Sequence, residues 1–262
     1  MKITVIGAGA MGGATVEGLL NSQLLNAADI TVSEPNQSIL DKFAGKGVST
    51  MTDNQLAVVG ADLIMVFVKP WLVEQVLKGI KDAMDYHKQT LVIVAAGITS
   101  TQIKEWLKTD NSQLPPFFLC IPNIAIAQQQ SMTFLVPAHA TEEKTAKVKS
   151  LFDELGETIL TDEQHLGAGT TLASCGIAYA MRYIRAAAEG GVELGFKADD
   201  AKRIVMQTMK GAVGLLEATG LHPEAAIDLV TTPGGVTIKG LNEMEHAGFT
   251  SAVIRGLKAG AK

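Results

Sequence analysis

The hexapeptide Gly7-Ala8-Gly9-Ala10-Met11-Gly12 follows directly on the apolar run Lys2–Ile6. This Gly-x-Gly-x-x-Gly spacing constrains the fold more than any other feature of the chain. Gly7 permits a tight turn at the end of a strand. Gly9 lets the main chain approach a pyrophosphate, and Gly12 lets the next helix pack closely on the strand. The first turn of that helix has N–H groups without intrahelical partners and the positive end of the dipole, so it suits phosphate. A glycine-rich turn with no ligand is the alternative. The strand–turn–helix context, with a second apolar strand at the right distance, favours a dinucleotide and hence a nicotinamide cofactor.

The same theme repeats over the first 160 residues. Candidate strands at Lys2–Ile6, Ile30–Ser33, Leu63–Val68, Leu91–Ala95, Phe117–Ile121 and Met132–Val136 are mostly continuous apolar runs, the pattern of strands covered on both faces. Between them, Met11–Leu20, Gln37–Phe43, Trp71–Ile80 and Thr101–Leu107 carry helical patterns. Such alternation predicts an open parallel sheet with right-handed crossovers, a Rossmann-type domain over residues 1–160. From Thr161 the β-branched runs stop. Long helical patterns at Ala178–Leu194 and Ala201–Ala218 precede Gly195 and Gly220, placed as C-terminal caps, and a shorter helix spans Pro223–Val230. Residues 161–262 therefore read as all-helical. Their Ala, Gly and Met suit close helix packing, and a domain this small has a limited core of its own, which points to dimerisation. The expected fold class is α/β, a Rossmann-type parallel-sheet domain followed by an all-helical dimerisation domain.

Composition excludes several function classes. Hydrophobic residues make up 47% and charged ones 19%, which is globular rather than disordered. A net charge of −5 and the lack of a Lys/Arg run argue against a nucleic-acid partner. The longest apolar runs, Leu63–Val68 and Leu91–Ile98, are too short to span a bilayer. Met1-Lys2 leads straight into the first strand, so no signal peptide is expected. Cys120 and Cys175 both sit among apolar residues, as suits a reducing compartment. The expectation is a cytoplasmic protein without membrane contact. His87, His139, His165, His222 and His246 are scattered without metal-ligand spacing, so they read as surface histidines and no metal is expected.

Two stretches bear on ligands. The second strand ends in Ser33-Glu34-Pro35-Asn36. An acidic residue about 20 positions past the glycines takes the ribose hydroxyls of NAD and repels the extra phosphate of NADP. Glu34 stands near that place and no Arg follows closely, although Ser33 and Asn36 could donate to a phosphate. Glu34 reads equally well as a solvated loop charge. Farther on, Thr231-Thr232-Pro233-Gly234-Gly235-Val236-Thr237 breaks one helix, and another restarts near Val236. The new helix's first N–H groups and the threonine hydroxyls suit a carboxylate. A plain helix–helix turn capped by threonine is the equal alternative.

On these residues and several more, the chain resembles the pyrroline-5-carboxylate reductases over nearly its whole length. The match includes Gly7 to Gly12 with Met11, Asp53-Asn54, Val68-Lys69-Pro70, Ala95-Ala96-Gly97-Ile98, Pro122-Asn123 and Gly176 with Ala178-Tyr179. The most specific element is Thr232-Pro233-Gly234-Gly235-Val236-Thr237. The resemblance implies hydride transfer from a reduced nicotinamide to the C=N carbon of 1-pyrroline-5-carboxylate, giving L-proline. It implies that Thr232, Gly234, Gly235, Val236 and Thr237 hold the substrate, with Thr237 as the catalytic residue on the ring nitrogen. It places Asn54 on the adenosine ribose, Val68, Lys69, Pro70, Ala95, Ala96 and Gly97 along the cofactor, and Asn123 near the nicotinamide. Gly7, Gly9, Ala10, Met11, Gly12, Ser33 and Glu34 complete that cofactor site. The family leans to NADP, and Glu34 makes NAD plausible, so NADPH or NADH is expected. The resemblance also implies interlocked homodimers that assemble further, with the site shared between subunits.

The chain departs from the family's pattern at Ala173 and Ile177, within Ala173-Ser174-Cys175-Gly176-Ile177-Ala178-Tyr179, and at Ile124, where the family usually reads Pro-Asn-Thr-Pro. These changes leave open a related cyclic imino acid as substrate. A non-catalytic dinucleotide sensor is the remaining alternative, and the Pro-Gly-Gly loop with Thr237 speaks against it. A β-hydroxyacid dehydrogenase would need a lysine early in its helical domain, and none occurs between Thr161 and Arg185.

Overall fold

A computed structural model describes all residues except Gln23, Asp110, Asn111 and Lys262. The apolar runs become strands β1 (Ile3–Ile6), β2 (Ile30–Ser33), β3 (Ser49–Met51), β4 (Leu63–Val66), β5 (Thr90–Ile93), β6 (Phe117–Ile121), β7 (Ser131–His139) and β8 (Gly156–Leu160). They form one eight-stranded sheet in the order β3-β2-β1-β4-β5-β6-β7-β8. The helices interleaved with them are α1 (Ala10–Asn21), α2 (Gln37–Ala44), α3 (Asn54–Val58), α4 (Pro70–Ile80), α5 (Ser100–Leu107), α6 (Glu142–Asp153) and α7 (Leu166–Gly169), the last running into a π-helical turn at Thr170–Cys175. Residues Met1–Ser174 and Cys175–Lys262 are two compact units.

Alternate residues of the central strands feed two cores, because successive side chains point to opposite faces. Ile3, Val5, Ile30, Val32, Leu63 and Met65 pack with α1, α2 and α6 through Val16, Leu19, Phe43 and Phe152. Ile6, Ile64, Val66, Leu91 and Ile93 pack with α4 and α5 through Val73, Leu77, Ile80, Ile103 and Leu107. Both faces of the middle of the sheet are thus covered, as the unbroken apolar runs predict.

The sheet departs from the sequence expectation in three ways. The pairing of β6 with β7 is antiparallel, whereas the other neighbours are parallel. Residues 122–130 join these two strands through a single 3₁₀ turn, Ile124–Gln128. A parallel crossover needs a dozen or more residues, so this connection must reverse the chain. Strands β3 and β8 have no apolar run to announce them. They are edge strands whose residues, Thr158 apart, are exposed or half-buried, and main-chain pairing joins each to its neighbour. The runs expected to extend to Val68 and Ala95 end as strands at Val66 and Ile93, and Phe67, Val68 and Val94 beyond them line a cleft.

The second unit holds α8 (Gly176–Glu193), α9 (Ala198–Thr219), α10 (Pro223–Asp228), α11 (Val236–His246) and α12 (Phe249–Gly260). Gly220 caps α9 in the left-handed conformation with φ 62°. Gly191 lets α8 approach α9, because a Cβ there would lie 2.9 Å from the Cβ of Ala201. The helices α8, α11 and α12 bury none of their described residues, and α9 and α10 bury one each, Ala201 and Ala226. Among the described residues no helix is long and apolar enough to cross a membrane.

The cysteines differ sharply in environment. Cys120 on β6 is fully buried, and burial pushes its thiol well above the ordinary range, whereas Cys175 is half-buried. Since the thiolate is the reactive form, Ellman's reagent is expected to leave Cys120 unmodified in the native protein and to titrate both thiols after denaturation. Modification of both under native conditions would contradict this burial.

Candidate functional site

Strand order reverses between β1 and β4, which places a crevice at the carboxyl ends of these strands, where α/β sheets bind ligands. The cleft there measures about 1130 Å³, and the described residues that line it belong to the first unit. That exceeds the usual size of a small-molecule pocket and gives room for an extended ligand such as a dinucleotide.

The glycines of the first turn have separable tasks. Gly7 has φ 85°, its N–H donates to the Ser33 carbonyl at 2.8 Å, and a Cβ there would stand 2.7 Å from the carbonyl oxygen of Phe67. A Cβ on Gly12 would overlap the Gly7 carbonyl oxygen and come 3.0 Å from the Phe67 Cβ. Both glycines thus serve the packing of α1 on β1 and β4. A Cβ on Gly9, by contrast, would meet no described atom within 4 Å. Gly9 is the N-cap of α1, and no side chain among the described residues caps that helix. The open space and the uncapped amides of a 12-residue helix form a cradle that fits a pyrophosphate.

The β2–β3 side of the cleft is polar and ordered. Ser33 Oγ donates to Asn54 Oδ1 at 2.6 Å. Asp53 caps α3, its Oδ1 accepting the N–H groups of Gln55 and Leu56 at 2.8 and 3.2 Å. Glu34 turns inward: Oε2 accepts the Ala8 N–H at 2.8 Å and Oε1 the Asn36 N–H at 3.2 Å. Glu34 is half-buried and anchored by these two main-chain contacts. On the β4 side, Lys69 is the N-cap of α4 and Pro70 opens it, where a missing N–H costs nothing.

The cleft brings together Gly7, Gly9, Ala10, Met11, Ser33, Glu34, Asn54, Val68 and Lys69 of the expected cofactor residues. Gly12, Pro70, Ala95, Ala96, Gly97 and Asn123 are not on its walls. Gly97, with φ 77°, turns the chain after β5. Asn123 is nearly buried and its groups are engaged. Its N–H donates to Ser131 Oγ at 3.0 Å, Nδ2 donates to the Ala173 carbonyl at 3.4 Å, and Oδ1 accepts the Ala125 N–H at 3.0 Å. The cleft also includes Leu72, Gln75, Val76 and Gly79, which the sequence reading did not single out. Their spacing marks one face of α4, so helical periodicity applied to that segment could have found them.

In the second unit, the turn between α10 and α11 has the predicted break. Thr231 Oγ1 donates to the Asp228 carbonyl at 3.2 Å, and the Gly235 N–H donates to the Thr232 carbonyl at 2.9 Å. Gly234 has φ 71°, and a Cβ on Gly235 would lie 2.5 Å from Thr232 Oγ1. The helix α11 begins at Val236 with no side-chain cap among the described residues. Val236 and Thr237 are exposed on its first turn, so hydroxyl and main-chain donors are presented together.

A parallel-dominated sheet with an open, uncapped helix at its switch point, followed by a helical unit, defines a Rossmann-type dinucleotide-binding oxidoreductase fold. Residues 163–262 match the family model for pyrroline-5-carboxylate reductase dimerisation, and residues 2–97 match that of NADP oxidoreductase, coenzyme F420-dependent. The chain is 37% identical to pyrroline-5-carboxylate reductase 1 of Dictyostelium discoideum over 97% of its own length, and spans 48% of that protein, about half. It is 34% identical to reductase 2 of the same organism, covering all of this chain and 91% of that one. The crystal structure of 1-pyrroline-5-carboxylate reductase from Streptococcus pyogenes superposes with a TM-score of 0.86 at 29% identity, covering 100% of this chain and 96% of that one. The chain belongs to the pyrroline-5-carboxylate reductase family.

Proposed function

We propose that the protein reduces 1-pyrroline-5-carboxylate to L-proline with NADH or NADPH. One observation carries the reading: a single chain holds both the open cradle at Gly9 and the Thr232–Thr237 turn at the uncapped start of α11. The cofactor, when bound, supplies the hydride. The chain's own residues bind and orient. The first amides of α1 hold pyrophosphate, and Asn54, oriented by Ser33, meets the adenosine ribose. Ala95 to Gly97, after β5, line the cofactor, and Asn123, after β6, lies near the nicotinamide.

The amides and hydroxyls of Thr232 to Thr237 hold the substrate carboxylate. Thr237 Oγ1 hydrogen-bonds the ring nitrogen and holds the proton that stays on it in the product. A cyclic imine is electrophilic once protonated, so alignment and charge placement supply most of what the reaction needs. The exposed apolar side chains of α8 to α12 are covered in this reading by a second copy, making a homodimer.

The test is turnover of 1-pyrroline-5-carboxylate, followed by loss of the reduced cofactor's absorbance. Thr237→Val is expected to lower kcat by about 10²-fold, at the low end for a proton-handling group, with the dinucleotide Kd unchanged. Undiminished kcat would remove Thr237 from the mechanism. Turnover of other cyclic imino acids but not of this one would transfer the function to the related substrate suggested by Ile124, Ala173 and Ile177.

A further inference from the structure

We infer that this chain selects NADH over NADPH, and that Glu34 is the residue that turns the 2′-phosphate away. The inference rests on the nicotinamide-dependent reading above and specifies its cofactor. Both oxygens of Glu34 accept main-chain N–H groups, from Ala8 in the glycine turn and from Asn36 beyond β2. Its negative charge is therefore fixed at the end of β2, where the adenosine ribose lies in this fold. A ribose 2′-hydroxyl can donate to that carboxylate. A 2′-phosphate, with about −1.5 to −2 charges near neutral pH, meets it as a like charge.

Among the described residues lining the cleft, no cation on that side offsets the repulsion. Of the charged residues lining the cleft, Asp53 stands on the same β2–β3 side, while Lys69 follows β4, across β1 from β2. The two lysines closest in sequence to Glu34 are engaged elsewhere. Lys42 pairs with Glu17 at 2.9 Å, and Lys46 pairs with the same carboxylate. The start of α2, a natural seat for a phosphate, is already capped. Asn36 Oδ1 accepts both the Ser38 N–H at 3.0 Å and the Ser38 hydroxyl at 2.8 Å. The Ser33 hydroxyl is committed to Asn54. A phosphate at this position would find two carboxylates, serine hydroxyls already committed to other partners and, among the described residues lining the cleft, no cation on its side.

Equilibrium binding tests this without turnover. The protein is titrated with NADH and NADPH, and with 5′-AMP and 2′,5′-ADP as fragments that differ only in the 2′-phosphate. The wild type is expected to bind NADH about tenfold or more tightly than NADPH, the scale of one unrelieved charge repulsion at close range. The two fragments should show the same order. Glu34→Gln, which keeps the shape and removes the charge, should narrow the ratio about tenfold through tighter NADPH binding. Glu34→Asp should retain the preference. A matched thermal midpoint for each variant shows that the fold is intact. Equal or tighter binding of NADPH by the wild type overturns the inference, as does an unchanged ratio in a folded Glu34→Gln protein. Both results leave the reductase reading standing. Binding of neither dinucleotide overturns both together.

Discussion

Gly12→Ala is expected to destabilise the first unit and to abolish dinucleotide binding, whereas Gly9→Ala should leave stability unchanged and weaken binding alone. At position 12 the new methyl overlaps the carbonyl oxygen of Gly7 and crowds the Cβ of Phe67. These atoms belong to the turn after β1 and the segment after β4, and neither is the end of a flexible side chain. Relief requires α1 to lift off the sheet. Overpacking of this kind costs about 1–3 kcal/mol and more when backbone must move, which for a unit of this size lowers the thermal midpoint by roughly 5–10 °C. At position 9 the methyl enters open space at the N-cap. The apo protein has no reason to change its melting temperature, but the methyl occupies room that the pyrophosphate needs. Differential scanning calorimetry with dinucleotide titration separates the two effects. A Gly12→Ala protein with the wild-type midpoint would show that the close approach of α1 to β1 is not required.

The second large effect concerns the helical unit. Ile204, Met206, Val213 and Leu215 on α9, and Phe249, Val253 and Ile254 on α12, are exposed in the single chain, at 43–52%. Burying a side chain of this kind stabilises by about 1.5–3 kcal/mol. A unit that leaves so many uncovered cannot offset its own chain entropy. A second copy is the cover proposed here. Met206→Glu with Val213→Glu, one face of α9 separated by two turns, is therefore expected to dissociate the dimer to the 27.6 kDa chain and to lower helical content. Turnover should be lost with it, since the Thr232–Thr237 turn sits in this unit. Dinucleotide affinity should survive, because the described residues lining the cleft belong to the first unit. Sedimentation and circular dichroism read the first pair of outcomes, and cofactor titration reads the last. A double variant that remains dimeric and active would place the subunit contact away from this face of α9.

Much of this was legible in the residues in order. The glycine run after an apolar strand marked the turn, the helix start and the phosphate cradle, because each of those demands is local: a φ only glycine accepts readily, a space where a Cβ would sit, an uncapped first turn. The long helical periods and the caps at Gly195 and Gly220 marked the second unit for the same reason. The Pro233-Gly234-Gly235 break likewise fell where α11 begins. Edge strands β3 and β8 were not legible, since main-chain pairing with a neighbour distant in sequence holds them and their side chains carry little pattern. The reversal at β7 depended on the length of a connection rather than on any residue within it.

Glu34 divides the two kinds of information most clearly. Its place at the end of β2 and its charge follow from the sequence alone, and so does the choice it poses between a ribose ligand and a solvated loop charge. Only the folded chain brings the Ala8 N–H, 26 residues away, to its carboxylate. The same folding ties up Lys42, Lys46, Ser33 and Ser38 with other partners. Local conformational demands are written residue by residue, whereas the electrostatic meaning of a charge depends on which groups the fold leaves beside it.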